Sequence, residues 1–408
     1  MQIYFDYFLR LTAISIFFAS AHAQTVAIQT ADKSSTLNVL VEYPAQKTAG
    51  KRPVIVLTGG VFTDRDGITD LGDFASEKNT TFLFRQLSQR LRMMGFIVVR
   101  YDQRGIHGNI FNCKTGEKLS FKTYVDQCVD NNIRSKVTLK NIQADYESVF
   151  KFAGALKAAN KKKIYALGHS EAAIHIATLI GEKRITPAGI IFIAGIAESP
   201  SAHAEWQAVD RFAEALPLLD DNRDGIVTNA EISHGFQDNR SALSQQTQNG
   251  EQVFRSPTGS WKLDDLRPFK DWVQKLVYKP FVATLKIPNA DNVAFTSKVG
   301  GIEVAIASRG WLLGRINDTT QVIDRLDVFD GRGLFIFFSL DSQISVARQI
   351  ASIEKSKFSL NHKAKIVTIN GFGHVFGKLP GVGPIEPKAM DEVSSAIRAW
   401  LPPTIRAH

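Results

Sequence analysis

One short segment carries the residue types for nucleophilic chemistry. In Ile164-Tyr165-Ala166-Leu167-Gly168-His169-Ser170-Glu171-Ala172-Ala173 an apolar run enters Gly-x-Ser-x-Ala, and the helical pattern Ile174, Ala177, Thr178, Leu179 follows at once. A serine hydroxyl attacks an acyl carbon only when a base stands ready to take its proton. The pattern predicts Ser170 on a sharp strand-to-helix turn with strained backbone angles. Gly168 and Ala172 are small enough to let that strand and helix pack closely. The helix N-terminus behind the turn favours developing negative charge.

A second segment carries oxygen ligands. Asp220-Asp221-Asn222-Arg223-Asp224-Gly225-Ile226-Val227-Thr228-Asn229-Ala230-Glu231 matches the twelve-residue EF-hand loop. Asp220, Asn222 and Asp224 supply side-chain oxygens at positions 1, 3 and 5, and Gly225 makes the turn at 6. Ile226 offers its carbonyl, Thr228 contributes directly or through water, and Glu231 closes the site with both oxygens. Trp206, Val209, Phe212 and Leu216 recur at helical spacing before the loop. A single loop of this kind predicts one structural Ca2+ rather than a switch, because sensors usually pair their loops; the alternative is an acidic surface loop.

The chain that must position these groups has 408 residues, 44% of them hydrophobic and 22% charged. That composition belongs to a globular protein and excludes a disordered or collagen-like chain. The net charge is +9, but the basic residues are scattered, and the longest run, Lys161-Lys162-Lys163, reads as a solvated turn. Nucleic acid is therefore not an expected partner. At the N-terminus, Leu11 to Ala21 is uncharged and apolar, and Ala21-His22-Ala23 is a small-x-small site. The stretch is too short to span a bilayer, so residues 1–23 read as a signal peptide cleaved after Ala23. The mature chain is expected in a periplasm or outside the cell, with no transmembrane segment. In that compartment Cys113 and Cys128, fifteen positions apart, are expected to form a disulfide.

Short apolar runs alternate with helical patterns after the signal. Strands are predicted at Val26–Gln29, Thr36–Tyr43, Val54–Leu57, Phe96–Tyr101, Ile164–Leu167, Gly189–Ala194, Leu334–Phe338 and Lys365–Ile369. Phe84, Leu87, Leu91 and Met94 mark one amphipathic helix, ended by Gly95, and Ile142, Tyr146, Val149 and Phe150 mark another. This alternation predicts an α/β fold with a mostly parallel eight-stranded sheet covered on both faces. Residues 198–330 break the alternation. They hold Trp206, Trp261, Trp272 and Trp311, four of the five tryptophans, and read as a mainly helical cap inserted after the sixth strand. Residues 24–197 and 331–408 then form the core domain.

The chain resembles an α/β-hydrolase over nearly its whole mature length. Val54–Gly60 (VIVLTGG) resembles the third strand and its oxyanion loop, and Tyr101-Asp102-Gln103-Arg104-Gly105 resembles the Asp-x-Arg-Gly turn after the fourth. Ile366–His374 (IVTINGFGH) resembles the last strand and its histidine loop, and Leu334–Asp341 (LFIFFSLD) ends where the family places its acid. The resemblance implies the triad Ser170, Asp341 and His374 in the family's chain order, with Glu198 as the reserve acid. It also implies oxyanion donors from the backbone of Glu171 and Gly60. Three departures stand out: Phe338 replaces a glycine, Thr58 replaces a histidine, and Glu171 sets a carboxylate beside the nucleophile. That carboxylate either binds a cationic substrate group, as in an aminopeptidase, or is tied into the structure, which is the preferred reading. His107 and His169 are expected to be structural, His175 buried and satisfied, and Asp102 hydrogen-bonded within its own turn.

Together with the signal segment, the resemblance implies an exported serine hydrolase that cleaves a small-molecule carboxylic ester through an acyl-enzyme, with no organic cofactor. The alternatives are a peptidase or amidase of the same fold, and a binding module that has kept the fold without the chemistry.

Overall fold

The computed structural model describes residues 23–44, 50–60, 63–67, 81–109, 111, 113, 119–238, 250–287, 293–299, 302–378 and 383–403. The expected signal segment lies outside these residues except for Ala23, which begins the first strand.

All eight predicted strands form, within a few residues of their expected ends, and they make one sheet. They are β1 (Ala23–Gln29), β2 (Thr36–Glu42), β3 (Arg52–Thr58), β4 (Ile97–Tyr101), β5 (Ala159–His169), β6 (Gly189–Ile193), β7 (Arg332–Phe338) and β8 (Ala364–Ile369). Their spatial order is β1-β2-β4-β3-β5-β6-β7-β8. β2 runs antiparallel to both neighbours, and every pairing from β4 through β3 to β8 is parallel. This is the sheet of an α/β-hydrolase. Lys161 to Lys163 lie within β5 rather than in the expected turn, in an irregularity between Ala159, which pairs with Arg52, and Ile164, which pairs with Val54.

The inner strands are apolar along their whole length, as a sheet covered on both faces requires. Adjacent residues of β5 point to opposite layers. A Cβ on Gly154 of the helix Leu139–Ala155 would meet Ile164, while the Tyr165 ring packs edge-on against Trp400 of the C-terminal helix Pro387–Trp400. The predicted helix around Phe84 spans Leu83–Met93 and stops at Gly95, whose φ of +89° suits only glycine there.

Between β6 and β7 the chain builds mostly helices, together with two antiparallel strand pairs that periodicity did not reveal. Ile226–Thr228 pairs with Ser260–Lys262, and Val293–Val299 pairs with Ile302–Ser308. The cap has its own apolar centre, in which Phe212, Leu216, Leu219, Val227, Ile232, Phe254, Trp261 and Phe269 are buried together. Toward the end of the interval, Val322, Ile323, Leu326 and Phe329 instead join the main core. The hydrophobic boundary between cap and core therefore lies before residue 322.

Candidate active site

The turn after β5 has the geometry its sequence demands. Ser170 sits at φ +60°, in the left-handed region, between β5 and the helix Ala172–Gly181. Its N–H donates to Ile193 O (3.0 Å), which ties the turn to β6. A Cβ on Gly168 would stand 2.8 Å from Ile176 Cδ1 and 3.2 Å from Ala172 Cβ, so only glycine lets strand and helix approach this closely. A non-glycine residue held in that region stores strain, which is kept where it serves a site.

The end of β7 and the loop after β8 supply an acid–imidazole pair. Asp341 Oδ1 accepts the N–H groups of Gln343 (2.8 Å) and Ile344 (3.2 Å), and its Oδ2 lies 2.8 Å from His374 Nδ1. A carboxylate can only accept, so the proton of that contact belongs to Nδ1, and Nε2 of His374 is left as the basic nitrogen. Phe338 packs against Phe376 at 4.8 Å between ring centres. This contact joins the strand that ends before Asp341 to the loop that carries His374.

Ser170 and His374 are brought into one neighbourhood by His169. Its Nε2 donates to the His374 carbonyl (3.0 Å), and the two rings lie 4.8 Å apart. Burial first, and then the neighbouring His374 ring, push the His169 pKa down to about 3, so this ring stays neutral and structural. No hydrogen bond joins the Ser170 hydroxyl to His374 among the described residues. Such contacts are often loose before substrate arrives. Glu198, the reserve acid, is engaged elsewhere: Arg348 Nη2 (2.7 Å) and Gln349 Nε2 (2.7 Å) donate to its carboxylate.

Two backbone N–H groups beside the serine, those of Gly60 and Glu171, have no protein acceptor among the described residues, and Gln103 fixes the Gly60 peptide by donating to its carbonyl. A Cβ on Gly60 would stand 3.2 Å from the Glu171 nitrogen, so the two donors are immediate neighbours. An orphan pair of this kind is unusual in a buried position unless a ligand oxygen completes it.

The Glu171 carboxylate is not open to substrate. It accepts from Trp311 Nε1 and forms an ion pair with Arg315 Nη1 (3.1 Å), both from the cap helix Arg309–Ile316, with His175 Nε2 at 3.6 Å. Burial alone would raise this carboxyl, but Arg315, His175 and Trp311 outweigh it and hold its pKa at about 2. His175 is buried as expected but not satisfied: among the described residues neither ring nitrogen has a hydrogen-bond partner, and the Glu171 carboxylate stands 3.6 Å from Nε2. Asp102 accepts from Arg65 N (2.9 Å) as well as Gly108 N (3.0 Å), so it bridges two loops rather than closing its own turn alone. His107 is exposed. Sequence reasoning did not find Trp311 or Arg315 as neighbours of the nucleophile; their spacing of four on one helix face was the available signal.

In the cap, the segment from Asp220 to Glu231 turns back on itself through its own side chains. Gly225 (φ +83°) makes the sharp turn, its N–H donates to Asp220 Oδ2 (3.0 Å), and Ile226 N donates to Asp224 Oδ1 (2.7 Å). Asp220 Oδ1 is buried with no partner, which fits a cation. Glu231 does not converge on it, because its oxygens accept from Asp221 N (3.1 Å) and Thr228 N (2.8 Å). Among the described residues no three His, Cys, Asp or Glu side chains come together as a metal site. The donor set fits an oxygen-seeking ion, and the position of Glu231 does not. Cys113 and Cys128 are joined as a disulfide, with Cα atoms 6.0 Å apart.

No protein-family profile matches the chain, and a search of curated proteins finds no significant match. Among solved structures, the chain is similar to ferulic-acid-bound Est1E from Butyrivibrio proteoclasticus at 12% identity, covering 92% of this chain and 97% of that one, with a TM-score of 0.47. It is similar to the α/β hydrolase GrgF from Penicillium sp. sh18 at 12% identity, 93% and 99% coverage, and a TM-score of 0.47. A thermophilic esterase from Thermogutta terrifontis matches at 15% identity, 94% and 99% coverage, and a TM-score of 0.46.

Proposed function

We propose that this chain is an exported serine hydrolase that cleaves a carboxylic ester. The observation that carries the reading is the Asp341–His374 hydrogen bond, held by His169 next to a serine at φ +60°. Ser170 Oγ attacks the acyl carbon while its proton passes to Nε2 of His374. The carbonyl oxygen becomes an oxyanion facing the N–H groups of Gly60 and Glu171. Its collapse breaks the ester C–O bond, and the imidazolium returns the proton to the departing alcohol. Water then repeats the sequence on the acyl-enzyme, which releases the acid and restores the serine. Asp341 keeps the imidazole in the productive tautomer throughout. Each oxyanion donor contributes about 3 kcal/mol of transition-state stabilisation in such sites.

The test is fluorophosphonate labelling with peptide mapping, followed by matched ester and amide substrates. A single adduct on Ser170 and faster turnover of the ester support the reading. A folded protein with no adduct points to a binding module. The peptidase reading rested on Glu171 as a cation site, and pairing with Arg315 removes that support. Export is supported by the Cys113–Cys128 disulfide, which persists in oxidising compartments. No helix among the described residues is long and apolar enough to cross a membrane.

Calcium is proposed for the cap loop, held by Asp220, Asn222, Asp224, the Ile226 carbonyl, Thr228 and Glu231, as a structural ion. It requires Glu231 to exchange the N–H groups of Asp221 and Thr228 for the ion. Leu219, Val227 and Ile232, within or beside the loop, are buried in the cap's apolar centre, so ordering the loop stabilises the cap. Ca2+ titration by calorimetry should show one site, with a melting temperature that falls in chelator and recovers with excess Ca2+. No heat of binding and an unmoved melting temperature would remove calcium from the account.

A further inference from the structure

A carboxylate one residue after the nucleophile creates an electrostatic problem. The reaction places a negative charge beside the Glu171 N–H, and the Glu171 side chain is itself a buried, ionised acid. Like charges brought together in a desolvated site repel strongly, so an unbalanced Glu171 would oppose the oxyanion that its own backbone stabilises.

The cap supplies the balance. Arg315 Nη1 lies 3.1 Å from Glu171 Oε2, and Trp311 Nε1 donates to Oε1. Arg315 has little else to answer to. Among the described residues its Nε is buried without a hydrogen-bond partner, its only other hydrogen bond goes to Gln207 Oε1 (3.5 Å), and no other carboxylate reaches it. The helix that carries both residues is anchored to the core. Its N-cap, Ser308, donates to Val137 O and accepts Trp311 N–H (3.1 Å), and Trp311 is fully buried with Val137, Ile142 and Ala307. The geometry fixes a cationic group against the nucleophile's neighbour from a different part of the chain.

We propose that Arg315, with Trp311, is a positioning residue for ester hydrolysis: it neutralises the Glu171 carboxylate and holds it away from the oxyanion formed at the Glu171 and Gly60 N–H groups. This rests on the reading of Ser170 as nucleophile. It assigns the cap helix an electrostatic part in catalysis, through Glu171, in addition to covering the site.

The experiment is a double-mutant cycle on the full chain, with melting temperature measured for every variant. Arg315→Met leaves the carboxylate unbalanced and should lower kcat roughly 10- to 100-fold while KM for the ester stays within threefold. The Ki of a trifluoromethyl ketone, which forms a hemiketal oxyanion on the serine, should rise by the same factor. Arg315→Lys, which keeps the charge, should lose less. Adding Glu171→Gln to Arg315→Met removes the charge that does the harm and should recover at least tenfold of the lost kcat. A helix that acts only through packing predicts a lower melting temperature, an unmoved Ki, and no recovery in the double variant; that result overturns the proposal. Should Arg315→Met not fold, the cycle is read in the Glu171→Gln background, where removing Arg315 should lower kcat threefold or less; a tenfold loss there overturns it. A wild-type chain that forms no Ser170 adduct overturns both this and the hydrolase reading, whereas labelling of wild type with unchanged kinetics in Arg315→Met overturns this one alone.

Discussion

Replacing Asp341 with Asn separates the proton's position from the shape of the site. Asp341 uses Oδ1 for two N–H donors, Gln343 at 2.8 Å and Ile344 at 3.2 Å, and Oδ2 for His374 Nδ1 at 2.8 Å. Asparagine keeps the outline but has one accepting end and one donating end. Turning its NH2 toward Gln343 and Ile344 would leave buried donors unsatisfied at about 1–3 kcal/mol each, so the amide oxygen stays at the Oδ1 position. The NH2 then faces His374 Nδ1, which must accept. The imidazole proton is driven to Nε2, the atom that has to receive the Ser170 proton. In a serine triad this inverted tautomer lowers kcat about 10⁴-fold, which is about 5.5 kcal/mol at 1.36 kcal/mol per tenfold. The Asp341 side chain is wholly buried and its volume is conserved, so the melting temperature should move by only a few degrees. Steady-state ester hydrolysis and the fluorophosphonate labelling rate, both at pH 7.5, read the effect. Glu198→Gln is the companion variant: it loosens the Arg348 and Gln349 contacts and should lower stability with less than a tenfold change in kcat. The reasoning is refuted if Asp341→Asn keeps kcat within tenfold of wild type, or if Glu198→Gln shows the larger loss.

Gly60→Ala puts a Cβ 3.2 Å from the Glu171 nitrogen and should cut kcat roughly 10²-fold with little change in melting temperature; an unchanged kcat would show that the oxyanion forms elsewhere. Cys113→Ser with Cys128→Ser opens a fifteen-residue link and should lower unfolding free energy by about 3 kcal/mol in urea titrations, against no change if the loop is already fixed by the apolar cluster of Tyr124, Val125 and Val129. His203 is buried, and burial first, with Arg315, pushes its pKa down from 6.5 to about 4 against the pull of Glu198. Its folded pKa lies below its unfolded one, so the unfolded chain takes up the proton first; the stability is complete above pH 6.5 and is lost as pH falls toward 4. His203→Phe should therefore stabilise the protein, relative to wild type, by on the order of 3 kcal/mol more at pH 4 than at pH 7.5, and parallel urea curves at the two values would contradict it.

The elements were legible because their signals are local. β4, β6 and β7 are buried at nearly every position, and such strands read directly as short apolar runs between turn residues. The helix Leu83–Met93 keeps one apolar face and ends at a glycine with positive φ, both visible as spacing. The Gly168–Ala172 turn was legible for the same reason: steric demand acts within five residues. The hairpin Val293–Ser308 was missed, since one short hairpin among helices has little periodicity of its own, and its pairing includes register shifts at Ala305 and Ala307. The Lys161–Lys163 run misled because a strand can bulge between two paired positions, here Ala159 and Ile164, and carry charges into water without ending.

The polar partners were the part that sequence could not supply, and they decide the chemistry. Glu171 beside a serine suits a cation site or a structural tie equally well while its surroundings are unknown. Its partners, Trp311 and Arg315, stand 140 and 144 positions later in the chain, and only the fold makes them neighbours. The same holds for Glu198, which sits where a reserve acid could act until Arg348, 150 positions away, is found holding it. In both cases a carboxylate's role follows from the cation that reaches it, because a buried charge without a partner is too unfavourable to persist. Among the described residues no Arg or Lys pairs with Asp341, and its Oδ2 is the oxygen turned to His374. Under the proposed function, assigning the acid is therefore a matter of charge balance across the buried carboxylates.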